Sequence, residues 1–412
     1  MIRSCAVFLV ACLLAAAAPS QAGAGRAEVE RGFQVWLAEE AWPRARSAGV
    51  SRAIFDAATA GLALDWSLPD LRPPGSAAPE GVHRQSEFSS PARYFAEKNI
   101  ASLAAIGRQH LERWRDVLGD IERRYGVSSR ILIAIWGRES AFGRAAIRND
   151  AIQVLATQAY MGARKELFAG ELTAALQILE RGLIERGQLR SSWAGALGQP
   201  QFLPSKFLAL AVDFDGDGHR DIWNSVPDTL ASIANYLRAN GWQPGRDWGF
   251  EADVPQKVSC ALEGPGQGRP IADWIGAGIT RTNGRPFPAE EQAKTGFLLM
   301  PAGRLGPAFI ATANFYVLKS FNESDLYALF IGHLADRLGG GGPFRAGWAP
   351  IDSFLREDVT TMQRRLEDLG HDVGGADGLV GFKTRIAIGL WQQGRGEAAT
   401  CFPDAAITRA FR

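Results

Sequence analysis

The segment from Tyr125 to Gly143 constrains the rest of the chain more than any other. It reads Tyr-Gly-Val-Ser-Ser-Arg-Ile-Leu-Ile-Ala-Ile-Trp-Gly-Arg-Glu-Ser-Ala-Phe-Gly. Gly126 breaks a preceding helix, and Ser128 or Ser129 offers a hydroxyl to an orphan N–H of a new first turn. Ile131, Ile135 and Glu139 recur at helical spacing, so the carboxylate projects from the apolar face of that helix. Among aliphatic and aromatic neighbours such as Trp136 and Phe142 the charged form is disfavoured. The pKa of Glu139 is therefore expected to rise towards neutrality, as a general acid working at neutral pH requires. The same pattern fits a helix-end glutamate paired with Arg138 or Arg144, and this stretch alone leaves both readings open.

A helix this apolar needs a core around it, and the chain has the length for more than one. Its 412 residues predict two or more domains. The N-terminus, with one early arginine, an apolar run from Ala6 to Ala18 and small residues up to Ala22, reads as a secretory signal peptide over 1–22. A lipid anchor at Cys12, preceded by Leu9-Val10-Ala11, ranks second because the apolar run continues past that cysteine. Removing the signal leaves Cys260 and Cys401, too few for a disulfide scaffold; whether they pair is open at this stage. A formal charge of +1 with interspersed signs gives no footprint for nucleic acid. The twelve tryptophans are core by default, yet they also supply flat apolar faces on which sugar rings pack.

The fold class expected is mainly α (α+β). Helical patterns run from Gly32 to Ala60 with a stop at Gly49, from Pro91 through Arg124, over Ala151–Tyr160, from Leu172 to about Glu185, and from Asp228 to Asn240. The run Ser191–Pro204 is rich in glycine and proline yet apolar, as backbone is where something must approach closely. Prolines, glycines and alternating runs predict a small β insertion over about 250–303, after which helix returns from Pro307 to Leu338. Residues 339–354, opening on four glycines, read as a linker, and 355–412 as a small helical module.

Asp213-x-Asp215-x-Asp217-Gly218 opens like an EF-hand loop: alternate carboxylates wrap a hard cation, and the carbonyl of His219 follows. Asn224 stands where a bidentate Glu is expected, so Asp228 is the next acid able to close an enlarged loop. Structural Ca²⁺ is the expected cofactor, with no organic one. A two-carboxylate glycosidase needs a partner for Glu139, but the nearby acids belong to the metal loop or, like Asp150 and Glu171, lie in helices with ordinary solvent-face or ion-pair explanations. A single acid suggests that the substrate supplies its own nucleophile.

These residues, namely Glu139-Ser140-x-Phe142-Gly143, Gly195-Ala196-x-Gly198-x-x-Gln201-Phe202-x-Pro204-Ser205, the aspartate loop, and Asn314-Phe315-Tyr316 with Asn322 and Tyr327, resemble the family of membrane-bound lytic murein transglycosylase B, glycoside hydrolase family 103. The resemblance covers about Gly32 to Leu338, within a catalytic region taken as 30–338. It implies a lysozyme-like core with a helical domain and non-hydrolytic cleavage of the β-1,4 bond between N-acetylmuramic acid and N-acetylglucosamine. Glu139 matches the single acid/base, and Ser192, Gln201, Asn322 and Tyr327 match positions lining the glycan groove. From the residues alone, Ser192 could cap a turn, Gln201 could bond loop backbone, and Tyr327 could be a core aromatic with a solvated hydroxyl. The calcium ligands implied are Asp213, Asp215, Asp217, His219 and Asp228. The tail, through Met362-Gln363-x-x-Leu366, Asp377-Gly378-x-x-Gly381-x-x-Thr384 and Pro403-Asp404-x-x-Ile407, resembles the three-helix peptidoglycan-binding domain. Together these imply a monomer in the periplasm whose partners are peptidoglycan glycan strands and proteins of cell-wall synthesis or remodelling. The rival readings are a lysozyme-type hydrolase and a catalytically silent wall-binding scaffold.

Overall fold

The computed structural model describes residues 21–75, 91–351 and 354–411. These fall into two compact units, 21–75 with 152–182, and 91–151 with 183–411. Most of the signal-peptide reading lies outside the described residues. Among the described residues no helix is long and apolar enough to cross a membrane.

The first unit is all helix. Gln21–Trp36 runs through a π turn, Leu37–Ala41, into Trp42–Ser47; Gly49, at φ +85°, reverses the chain into Arg52–Thr59. Ser51 caps that last helix, and Glu180, at the end of Lys165–Glu180, accepts its N–H and hydroxyl at 2.9 and 2.8 Å. The apolar stripe of Lys165–Glu180 is buried, as its spacing predicts.

The second unit is built on the helix that carries Glu139, Ser129–Ser140, in which every residue from Ile131 to Gly137 is buried. The helix before it, Arg115–Tyr125, ends at Gly126 in the left-handed region, φ +72°. The serines do not cap as expected. Ser128 holds the N-cap position without a side-chain bond, and Glu122 reaches forward to accept the N–H and hydroxyl of Ser129 at 3.0 and 2.7 Å. Glu97–Arg113 and Asp325–Leu338 pack on the same helix, the latter apolar almost all round and buried over most of its length.

The small sheet has five antiparallel strands in the order Arg269–Pro270, Thr295–Leu299, Ala308–Ala311, Gly249–Asp253, Thr280–Arg281. Ala308–Ala311 lies at the centre of the sheet, and the helix expected from Pro307 begins only at Ala313. All four residues of this strand are buried, so it shows no alternation that would mark it as strand.

Three helices, Arg356–Asp368, Phe382–Gly394 and Ala405–Ala410, close the chain around Val359, Met362, Leu366, Ile388, Phe402 and Ile407. Gln363, fully buried, donates to the Leu379 carbonyl and the Thr384 hydroxyl and accepts from Gly378 N–H. The shared motif residues of this module thus hold its own fold. Cys260 and Cys401, both fully buried, form a disulfide that ties the module to the sheet region. The 339–351 connector is pinned: Phe344 lies 3.8 Å from the His333 ring, Trp348 stacks on Phe95, and Glu251 accepts the N–H groups of Arg345 and Ala346.

Candidate active site

Glu139 sits in the last turn of its helix, just before three consecutive left-handed residues, Ala141, Phe142 and Gly143, at φ +49°, +60° and +76°. Two of the three carry side chains, so this exit is strained and must be held from outside. Ser140 does part of it, donating to the Trp136 carbonyl and accepting from Gly143 N–H. The Phe142 ring folds back edge-on to Trp136, centroids 5.6 Å apart, and stacks on His110. A side chain at Gly137 would meet that ring at 2.6 Å. Trp136 in turn donates its indole N–H to Gln199, which donates to the Trp223 carbonyl. Gly143 has no room for a Cβ against Gln199. The small residues of this motif therefore have steric reasons, and the acid's backbone is fixed by buried aromatics.

The carboxylate has one hydrogen-bond partner among the described residues, the hydroxyl of Tyr327, which donates to Oε1. Tyr327 is 3 % exposed, so its hydroxyl is spent on the acid and is not solvated. Neither arginine pairs with Glu139. Arg138 donates to the Tyr94 hydroxyl at 2.9 Å and lies over the Tyr94 and Phe330 rings, while Arg144 turns to the Ala141 carbonyl. Burial pushes the Glu139 carboxyl up to about 7, against the smaller opposing pulls of the Tyr327 hydroxyl and the Arg138 charge. Among the described residues no other carboxylate contributes to that shift. Such a group is protonated often enough near neutrality to donate a proton and basic enough to take one back.

The remaining groove candidates are arranged unevenly. Ser192 keeps partial exposure and accepts the Ala196 N–H at 3.3 Å, whereas the neighbouring Ser191 hydroxyl is buried without a partner. Gln201, at φ +55°, bonds the Gly198 carbonyl with its amide. Asn322 is exposed at the end of Ala313–Asn322. Trp193, 54 % exposed, was not singled out by motif; a large aromatic between serine and glycines in the loop run was the only clue to it.

In the aspartate loop, carboxylate oxygens of Asp213, Asp215 and Asp217 lie within 4.8 Å of one another. Gly216 and Gly218 make the turn at φ +79° and +92°, and Asp213 accepts both their N–H groups. His219 follows with its N–H on Asp217. Three carboxylates converging at the surface are the hard-oxygen donor set that Ca²⁺ takes. Asp228 stands behind this cluster, against Asp215. It is fully buried in the first turn of Val226–Ala239, and its carboxylate accepts the N–H groups of Phe214, Asp215 and Asp221, bracing the loop from inside.

A second acid is pushed up to about 7 by burial: Asp336, which accepts the Trp248 indole N–H. Nine residues from Tyr327 on one helix, it faces the opposite way from the Glu139 carboxylate. Asp336→Asn is expected to leave catalytic turnover within about twofold of wild type, measured as the initial rate at saturating substrate.

A mostly helical fold with a small antiparallel sheet is shared with solved lytic transglycosylases. A family model described as the transglycosylase SLT domain matches residues 32–336, and the chain belongs to that family. Membrane-bound lytic murein transglycosylase B of Escherichia coli (strain K12) is 31 % identical over 231 residues, which cover 54 % of this chain and 60 % of that protein. SltB3 from Pseudomonas aeruginosa, solved in complex with NAG-anhNAM-pentapeptide and with NAG-NAM-pentapeptide, is 36 % identical, with a TM-score of 0.78, covering 92 % of this chain and 99 % of that one. The Escherichia coli lytic transglycosylase Slt35, solved in complex with calcium, is 27 % identical with a TM-score of 0.52, over 62 % of this chain and 80 % of that one.

Proposed function

We propose that the protein is a lytic transglycosylase of peptidoglycan in which Glu139 is the single acid and base. The observation that carries this reading is a carboxyl raised to about 7 by burial, bonded to one tyrosine hydroxyl and, among the described residues, influenced by no second carboxylate. The protonated Glu139 gives its proton to the glycosidic oxygen as the C1–O bond of N-acetylmuramic acid breaks, releasing the 4-hydroxyl of N-acetylglucosamine. The carboxylate then removes the proton of the muramic C6 hydroxyl, and O6 bonds to C1. The product is a 1,6-anhydromuramic end, no water is consumed, and Glu139 returns to its acid form. Kinship with proteins named as lytic transglycosylases, and with SltB3 complexes containing NAG and anhydro-NAM, supports the substrate and product classes. Ser192, Gln201 and Asn322 line the glycan path, Tyr327 holds the acid from beneath it rather than lining the path as the resemblance implied, and Trp193 adds an apolar face for a sugar ring. The three-helix tail acts as a peptidoglycan-binding domain of an exported, periplasmic enzyme, raising local substrate concentration. Mass analysis of digested cell wall tests the reading. Anhydro ends, lighter than reducing ends by one water, are expected; reducing muramic ends alone would assign a hydrolase.

Asp213, Asp215, Asp217 and the His219 carbonyl would hold Ca²⁺, with Asp228 shaping the loop through its backbone. Bound calcium relieves the mutual repulsion of the three carboxylates and stiffens the loop. A saturating excess is worth about 3 kcal/mol to a site of this kind. EDTA should therefore lower the melting temperature by about 5 °C, reversibly on adding calcium. An unchanged melt would count against the metal.

A further inference from the structure

We propose that Arg385, in the C-terminal helical module, is a positioning residue for the Glu139–Tyr327 pair, so that this module shapes the reacting groups as well as tethering the enzyme. The inference builds on the reading of Glu139 as the acid.

The geometry runs through a buried ion cluster. Arg385, 2 % exposed, lies on the helix Phe382–Gly394. Its Nε and Nη2 grip both oxygens of the fully buried Glu263 at 2.8 and 3.0 Å, and Nη2 also reaches Asp325 at 2.8 Å. The other oxygen of Asp325 takes Lys319 at 2.7 Å, and Glu263 also accepts Met300 N–H. Asp325 opens the helix Asp325–Leu338, whose N-cap Ser324 accepts the N–H of Tyr327. The clamp therefore grips the first turn of the helix that aims the Tyr327 hydroxyl at Glu139, directly after the left-handed turn residue Glu323, φ +57°.

The module cannot drift from this position. The disulfide between Cys260 and Cys401 sits beside the clamp, three residues before Glu263 in sequence. Gly389, on the helix that carries Arg385, leaves no room for a Cβ against the Cys401 sulfur. Two long-range ties thus converge on one helix of the module. A tether alone has no need of a buried arginine touching the turn next to the acid's hydrogen-bond partner Tyr327; a buried ion cluster costs desolvation and is repaid by geometry.

The groups that act on Glu139 are Arg138 on its own helix and Tyr327, with Tyr94 beyond Tyr327; those that act on Arg385 are Glu263 and Asp325, the latter shared with Lys319. The Tyr327 hydroxyl lowers the pKa of Glu139, so displacing it raises that value and moves the alkaline limb of activity to higher pH. The test uses the full chain with Glu263→Met and Arg385→Met together, which replaces the mutually paired ions with apolar side chains and leaves Asp325 its Lys319 partner. Melting confirms folding; steady-state kinetics on a soluble glycan fragment and the Glu139 carboxyl titration followed by carbon NMR are then compared with Tyr327→Phe.

Expected are a kcat reduced about tenfold, KM within twofold, and a Glu139 titration moved upward in the direction of Tyr327→Phe, with Arg385→Lys recovering part of each. A folded double variant with wild-type kcat and titration would overturn the proposal, as would a loss confined to KM. The titration does not depend on catalysis. If Glu139→Gln keeps activity, the acid assignment fails, while an upward titration in the double variant would still support the positioning geometry.

Discussion

Glu139→Gln is expected to lower cell-wall cleavage by about 10³-fold or more while leaving binding to intact peptidoglycan within about twofold. The amide keeps the size and one hydrogen-bonding oxygen of the acid but has no proton to give and none to recover. The same substitution should also stabilise the protein above neutral pH. In the folded chain the carboxyl is raised from 4.5 to about 7 by burial. The stability that comes from keeping this group neutral is complete below its unfolded value and is lost as pH rises through about 7. Glutamine pays no such penalty. Allowing for the partial solvent access of Glu139, the gain at pH 8 should be about 1–2 kcal/mol, with no gain at about pH 4. Parallel melts at the two pH values check this, and equal melting temperatures at pH 8 would deny that the carboxyl is held in a desolvated place. Unaltered clearing by Glu139→Gln would favour a different acid, and an inactive wild type that still binds wall would fit the scaffold reading.

The second large effect concerns the bond between Cys260 and Cys401, which closes a loop across 141 residues of sequence. Closing so long a loop restricts the unfolded chain, so Cys260→Ala with Cys401→Ala should cost about 3 kcal/mol. The fold should survive at moderate temperature, because the Arg385–Glu263 pair still joins the same two regions. Denaturant melts of the double variant beside the wild type, with and without reductant, check it. Reductant should shift the wild type towards the variant and leave the variant unmoved.

What was legible from sequence was local. The helix carrying Glu139 announces itself because Ile131, Ile135 and Glu139 share a face, and the aspartate loop because its ligands alternate within six residues. The resemblance to the transglycosylases pointed to Tyr327 and Ser192 as groove positions, and only the fold brings the Tyr327 hydroxyl onto Glu139. What was not legible depends on residues far apart. Glu122 replaces the serine cap because a preceding helix happens to bring a carboxylate to Ser129. Ala308–Ala311 hides as strand because all four residues are buried, Phe309 against Trp248 and Phe344 and Ile310 in the cluster that holds Trp274. Asp228 is read as a ligand by spacing, and only the fold shows the three backbone N–H groups its oxygens also accept. Nothing in the linear sequence marks Glu263, Asp325 and Arg385, and only the folded chain places them together out of water.

The reading of Glu139 as acid and then base, with the sugar's own hydroxyl as nucleophile, is tested most directly by digesting cell wall in water enriched in heavy oxygen. Attack by O6 of the muramic residue brings no solvent oxygen into the product, so the new muramic ends should carry no label at short reaction times. Label at C1 of those ends, in step with bond cleavage, would mean that water is the nucleophile and would contradict the account.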